Sequence, residues 1–191
     1  MIVETEHTPN PDTLKFLPGK KVSEVGPIEF LKNDKDIKVS LANNILSLDG
    51  AVMVFFGKDF ITVKKKKDIN WEDLKHGIIS EINDYYSKGH NVVVGKNLGL
   101  ANISSKSTSD SRPVQSNKII DKINEVLDSK VRPAVAKDGG DITFKSFTDG
   151  VVTVELKGSC SGCPSSIMTL KQGVQNLLCH YIPEVKSVEA V

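Results

Sequence analysis

The sequence predicts an α+β protein made of two small α/β domains joined by a serine-rich linker, and three observations carry that expectation. Residues 101–116 contain six serines and one proline with almost no large apolar side chain to bury, which is the composition of a flexible connection. On either side of this stretch, apolar residues alternate with the period of a strand and elsewhere recur with the spacing of a helix. A length of 191 residues, 39% hydrophobic and 26% charged, suits two modest cores rather than a disordered or membrane-embedded chain. The expected layout is a domain over residues 1–98, a linker over 99–116 and a second domain over 117–191. As a coil the linker spans on the order of 20 Å, enough for independent movement of its neighbours.

In the first domain, residues 2–5 and 13–16 read as strands around the turn-rich Thr8-Pro-Asn-Pro11. Residues 51–56 and 60–65 read as a hairpin around Gly57-Lys58-Asp59, the first strand apolar enough to lie in a sheet covered by helices. Asn70 is a good helix cap, and Trp71, Leu74, Ile78, Ile82 and Tyr85 follow at helical spacing up to Gly89. Residues 91–94 are expected to close the domain as a strand. In the second domain, Ile119, Ile120, Ile123, Val126 and Leu127 mark a helix ending near Pro133. A hairpin follows, with strands at 141–148 and 151–157 joined by Asp149-Gly150, a pair suited to positive backbone angles. After a cysteine loop, Ser165 or Ser166 caps a helix with an apolar face of Ile167, Leu170, Val174, Leu177 and Tyr181, and residues 185–191 form a last strand. The order is α-β-β-α-β.

Charge and hydropathy exclude several functions. The 25 basic and 24 acidic residues leave a net charge of +1, so no global field draws the chain to nucleic acid or an anionic membrane. The apolar run at residues 51–56 falls far short of the roughly 20 residues that span a bilayer. The first residues, Met-Ile-Val-Glu-Thr-Glu-His, have neither the basic start and apolar core of a secretion signal nor the arginine-rich pattern of a transit peptide. The expected compartment is the cytoplasm, although a mature mitochondrial protein that has lost its presequence reads the same way. Three cysteines, an odd number, argue for reduced thiols rather than a disulfide framework.

The chemistry is concentrated in Cys160-Ser-Gly-Cys163-Pro164. Two thiols separated by two residues can grip one metal centre, and these lie between a strand end and the first turn of a helix. Unpaired amides and the positive end of the helix dipole favour thiolates there, the form that binds metal. Gly158, Ser159, Ser161 and Gly162 let backbone approach sulfur closely, and Pro164 suits a helix start. An iron-sulfur cluster is usually held by four cysteines, and this loop offers two. Cys179, the remaining cysteine, lies roughly 24 Å further along a continuous helix and cannot join them. A two-fold dimer doubles the half-site and completes the set. A cluster shared in this way is exposed and readily given up, which fits a carrier. Three other readings compete: a dithiol-disulfide oxidoreductase, a four-cysteine zinc site across a dimer, and buried thiols without a ligand.

Asp138-Gly-Gly-Asp141 followed by Gly158-Ser-Cys-Ser-Gly-Cys-Pro-Ser-Ser166 resembles the C-terminal domain of NifU-like (Nfu-type) iron-sulfur proteins. Thr8-Pro-Asn-Pro11 with Leu14-Lys-Phe16 resembles their N-terminal domain. The resemblance implies a non-enzymatic carrier that holds a labile 4Fe-4S cluster through Cys160 and Cys163 of two chains. It also implies that the cluster comes from upstream assembly proteins and passes to apo client proteins. The cysteine-bearing scaffold domain and ferredoxin-like domain of the longer nitrogenase-associated relatives have no counterpart here, so the resemblance implies carriage rather than assembly of new clusters.

Other features invite plainer readings. His7, His76, His90 and His180 have no ligand-like spacing. The lysines at 64–67 are read as solvating a strand edge, and Asp138-Gly-Gly-Asp141 as a turn that other residues cannot make. Cys179 is read as a packing residue. The first domain has no cysteine and no acid-base constellation, so client recognition is its expected role.

Overall fold

The computed structural model describes residues 2–95, 114–161 and 164–191. It divides into two compact units, residues 1–106 and 107–191. Most of the expected linker lies outside the described residues, and its last three positions, 114–116, are already helical.

The first unit is an antiparallel five-stranded sheet. Its strands are β1 (Glu4–His7), β2 (Thr13–Leu17), β3 (Ile28–Leu31), β4 (Ala51–Phe56) and β5 (Ile61–Lys65), arranged in the order β1-β2-β5-β4-β3. Two helices, α1 (Ser40–Ser47) and α2 (Trp71–Ser87), accompany it. Phe16, Val54, Phe56, Ile61 and Val63 share one core with Leu41 and Ile45 of α1 and Ile78 and Ile82 of α2. Each such side chain contributes about 1.5–3 kcal/mol through burial. The expected hairpin and the helix beginning after Asn70 are present, although the Asn70 side chain makes no capping hydrogen bond. Trp71 instead fastens this end, its Nε1 donating to the Pro11 carbonyl at 3.0 Å.

Two elements were hidden in the sequence. β3 is four residues long, too short to display a period, and α1 starts without a side-chain cap and contains Asn43 and Asn44, which are poor helix formers. Tertiary burial of Leu41, Ala42, Ile45 and Leu46 sustains that helix. The strand expected at 91–94 is reduced to one bridge between Ser23 and Val94. The lysine reading also needs correction, because β5 is interior to the sheet. Lys65 is buried, its Nζ 3.3 Å from Asp12 and 5.8 Å from the Trp71 ring centre.

The second unit has the expected α-β-β-α-β order. Its strands are β6 (Gly140–Thr148), β7 (Val151–Gly158) and β8 (Ser187–Ala190), with β6 antiparallel and β8 parallel to β7. Asp149 and Gly150 make the hairpin turn with φ of 53° and 88°, as their residue types predicted. Helix α5 (Pro164–Tyr181) connects β7 to β8. Val174 and Leu178 of this helix and Ile182 just past its end are buried, while Tyr181, expected inside, is 49% exposed. The buried face is therefore turned toward Leu178.

The first helix of this unit does not end near Pro133. It runs as α3 (Val114–Val126), a wider π turn (Leu127–Val131) and α4 (Arg132–Lys137). Ile123, Leu127, Val131 and Val135 are all buried in one core, yet they recur every four residues. On a regular α-helix that spacing drifts by about 40° per step, so the stripe would leave the core. The wider turn takes up the drift. It also restarts the helix, so Pro133 falls in the first turn of α4, where no backbone N–H is needed.

Arg132 joins this helix to the sheet, its Nε donating to the Ile142 carbonyl at 3.1 Å and lying 3.6 Å from Asp141 Oδ1. Asp141 is 7% exposed. Burial pushes its pKa above the ordinary 3.8, and the neighbouring Arg132 charge only partly opposes that. A raised folded-state pKa means that the native state binds the proton more tightly, so this group's contribution to stability falls as pH rises from the unfolded pKa through the folded one. Carbon-detected NMR titration should place the Asp141 midpoint above 3.8, and Arg132→Ala should move it higher. Asp141→Asn should flatten the pH dependence of thermal stability over that window, whereas a midpoint at or below the ordinary value would contradict the burial argument.

Candidate functional site

The site forms where β6 begins and β7 ends. Gly140 and Gly158 are register partners there, and the chain leaves Gly158 at φ 70°, a conformation that favours glycine. Two turns of backbone meet at this corner. Ser159 N–H donates to the Gly139 carbonyl at 3.2 Å, and Ser159 Oγ donates to the Asp138 carbonyl. Ser161 donates twice to the Gly158 carbonyl, from its N–H at 3.1 Å and from its Oγ at 2.8 Å. Residues 159–161 are thus tied to the segment before β6 and to the loop's own entry point.

Cys160 sits within this frame, 6% exposed, with its Sγ 3.8 Å from Ser159 Oγ. Gly140 gives it room. A Cβ at position 140 would lie 2.8 Å from Cys160 Sγ and 2.6 Å from the Lys157 carbonyl oxygen, closer than real Cβ atoms approach. The absent side chain is therefore a requirement of the sulfur's position. Asp138 and Gly139 supply the carbonyls that hold Ser159, so the Asp138-Gly-Gly segment is more than a turn: it is the floor beneath the cysteine loop. The sequence offered one signal for this, two adjacent glycines ahead of a strand, without showing what would approach them.

Cys163, the other expected ligand, lies outside the described residues. Helix α5 starts at Pro164 and runs for 18 residues, so the loop stands at the positive end of a long dipole that favours an anionic occupant. Cys179 is half-buried and packs against the second core, in keeping with a packing role. The structure brings two of the scattered histidines together. His7 and His76 line one recess of about 300 Å³ with Trp71, Glu72 and Lys75. Among the described residues, no group of three or more His, Cys, Asp or Glu side chains could hold a metal ion, and no helix is long and apolar enough to cross a membrane.

Comparison with known proteins matches both units. Residues 3–89 fit the family model described as the N-terminal part of the scaffold protein Nfu/NifU, and residues 123–189 fit the NifU-like domain. NifU-like protein 4, mitochondrial, of Arabidopsis thaliana is 43% identical over 191 residues, which is 99% of this chain and 65% of that protein. NifU-like protein 5, mitochondrial, of the same plant is 40% identical, covering 99% of this chain and 67% of its own. The human NFU1 iron-sulfur cluster scaffold homolog, mitochondrial, is 40% identical over 192 residues, covering all of this chain and 72% of its own length. The chain thus spans roughly two thirds of the relatives it matches. With a relative 40% identical and covered over 72% of its length, and each unit fitted by one of the two models, the chain belongs to the Nfu, or NifU-like, family.

Proposed function

We propose that this protein is a non-enzymatic iron-sulfur cluster carrier. Cys160 and Cys163 of two chains hold one 4Fe-4S cluster as cargo, received from upstream assembly proteins and released to apo client proteins. The observation that carries the reading is the seating of Cys160. Its sulfur lies over Gly140 in a loop held by Ser159 and Ser161, ahead of a helix dipole that favours a net anionic cluster. Two cysteines per loop supply half of the usual four-thiolate set, and a second copy of the chain supplies the other half. Sharing places the cluster at a boundary between subunits, where a client thiol can replace a ligand. Such an exchange needs a reducing compartment, cytoplasm or mitochondrial matrix, and a soluble protein partner rather than nucleic acid or membrane. The domain division we infer is 1–98, a linker from 99 up to the start of α3 at Val114, and a second domain from there to 191, with client recognition assigned to the first domain.

Anaerobic reconstitution with iron and sulfide, followed by metal analysis and mass in solution, should give about two irons and two sulfides per chain in a dimer. Cys160→Ser and Cys163→Ser should each lose most of that iron. A colourless, iron-free monomer that reduces disulfides would replace the carrier with a dithiol oxidoreductase, and zinc in the dimer would replace the cluster with a structural site. Gly140→Ala should lower the stability of the second unit by about 1–3 kcal/mol and reduce iron retention, with the first unit's melting unchanged. Deleting residues 1–98 should leave the iron stoichiometry intact and slow delivery to apo clients; unchanged delivery to every client tried would remove the recognition role.

A further inference from the structure

The two edges of the first sheet are finished differently. At one edge β3 turns Ile28 and Phe30 into the core shared with the helices, where they are 6% and 8% exposed. At the other, β1 pairs only with β2 among the described residues. Its positions on the helix side are Thr5 and His7, opposite Phe16 and Leu14, and Thr5 is half-buried while His7 is exposed. Neither fills the space beside α2. A recess of about 300 Å³ remains there, lined by Thr5, His7 and Leu14 of the sheet and by Trp71 and His76 of the helix. That is the low end of the range for ligand pockets, room for a side chain or two. Glu72 and Lys75 line it as well, one charge of each sign, so the recess itself has no bias toward an ion.

The walls of the recess are held in place by the Thr8-Pro-Asn-Pro11 turn. Trp71 Nε1 donates to the Pro11 carbonyl at 3.0 Å, and Lys65 Nζ lies 5.8 Å from the indole ring centre. The turn is closed on itself, because Thr13 N–H donates to the Asn10 carbonyl and Asp12 N–H to Asn10 Oδ1, each at 3.0 Å. Asp12 Oδ1 also holds Lys65 at 3.3 Å. Trp71 is therefore fixed relative to the end of β1, and a recess already formed costs little ordering when it is filled.

We propose that β1 and this recess form a strand-addition site for an extended segment of a client protein, one in which large apolar residues alternate with lysine or arginine. The proposal rests on the reading of the first domain as the part that recognises clients, and it names the surface and the partner chemistry. The backbone edge of β1 offers N–H and C=O groups to a further strand, and a strand added there sends alternate side chains to the two faces of the sheet. On the helix side they fall beside Thr5 and His7, over the recess. On the other side they fall beside Glu4 and Glu6, both exposed, where neighbours of opposite charge are favoured. Glu6 holds Lys15 at 3.1 Å and is still 53% exposed. A second copy of β1 is the wrong occupant, because the two-fold axis that pairs two such edges antiparallel sets these glutamates beside each other.

Trp71 is the only tryptophan of the chain, so its emission reads the recess in the full-length protein before cluster loading. The probes are a short peptide alternating lysine with phenylalanine and leucine, its glutamate counterpart, and a peptide of the first composition with its lysines in one block. The alternating lysine peptide should shift Trp71 emission saturably, move the amide signals of Glu4–His7, and bind about tenfold more tightly than either control. Thr5→Tyr, a strand-favouring residue that fills the recess, should weaken it by about tenfold. Glu4→Lys should weaken it by about threefold or more and turn the preference toward the glutamate peptide. Native-like thermal unfolding of both variants checks their fold. With cluster loaded, both variants should slow delivery to the apo clients that deletion of residues 1–98 slows. Equal binding of the blocked peptide would reduce the site to charge attraction and overturn strand addition. Normal delivery by both variants to those clients would overturn the edge as the docking site and leave recognition by the first domain intact, whereas clients indifferent to the deletion would overturn both. A cluster-free dimer that either variant abolishes would assign the edge to a second copy and overturn its assignment to a client.

Discussion

The close backbone approach at the open end of the β6-β7 hairpin governs the second unit. Gly140 faces Gly158 across the ladder, and only at a position without Cβ can Cys160 Sγ and the Lys157 carbonyl come as near as they do. Everything that follows in the chain inherits its direction from that corner. The Ser159 bonds to Asp138 and Gly139 aim the loop, and the loop starts α5. α5 in turn runs back to the hairpin tip, where Lys186 N–H meets the Gly150 carbonyl at 2.7 Å. Replacing either glycine would alter the sheet, the sulfur position and the helix start together. Stability and chemistry are therefore not separable at this place.

A second constraint acts from the other side. The stripe of Ile123, Leu127, Val131 and Val135 must remain in the core, and a four-residue repeat does so only because the helix widens at Leu127–Val131. The widened turn delivers Arg132 to the Ile142 carbonyl and to Asp141, next to Gly140. Helix and sheet thus clamp the same corner. The residues behind the cysteine loop in space precede it in sequence by some twenty to thirty positions.

Much of this was legible in the sequence, for identifiable reasons. Strong local signals were read correctly: Asp149-Gly150 as a hairpin turn, Asn70 as a helix boundary, and the paired cysteines between a strand and a helix. What failed depended on tertiary context. Ile28–Leu31 and Ser40–Ser47 exist because their apolar side chains find a core, not because their local preferences are strong. Pro133 looked like a stop because a wider turn is invisible to a search at 3.6 residues. Tyr181 looked buried because its spacing matched, whereas Leu178 fills that place. The partnership of Ser159 with Asp138 and of Cys160 with Gly140 joins residues about twenty apart, and no local pattern encodes it.

The parallel pairing of β8 with β7 has a consequence for the order of assembly. Its register runs from Val151 with Ser187 to Val154 with Ala190, so the third strand of the sheet lies beyond the cysteine loop and all of α5 in the sequence. Gln175 Oε1 accepts from Val188 N–H at 3.1 Å, which ties the middle of α5 to the same strand. The β6-β7 hairpin can close on contacts between neighbours in sequence, but α5 gains this tie to the sheet only once β8 has docked across it. A chain with residues 187–190 undocked would therefore present Cys160 before the frame around it is complete.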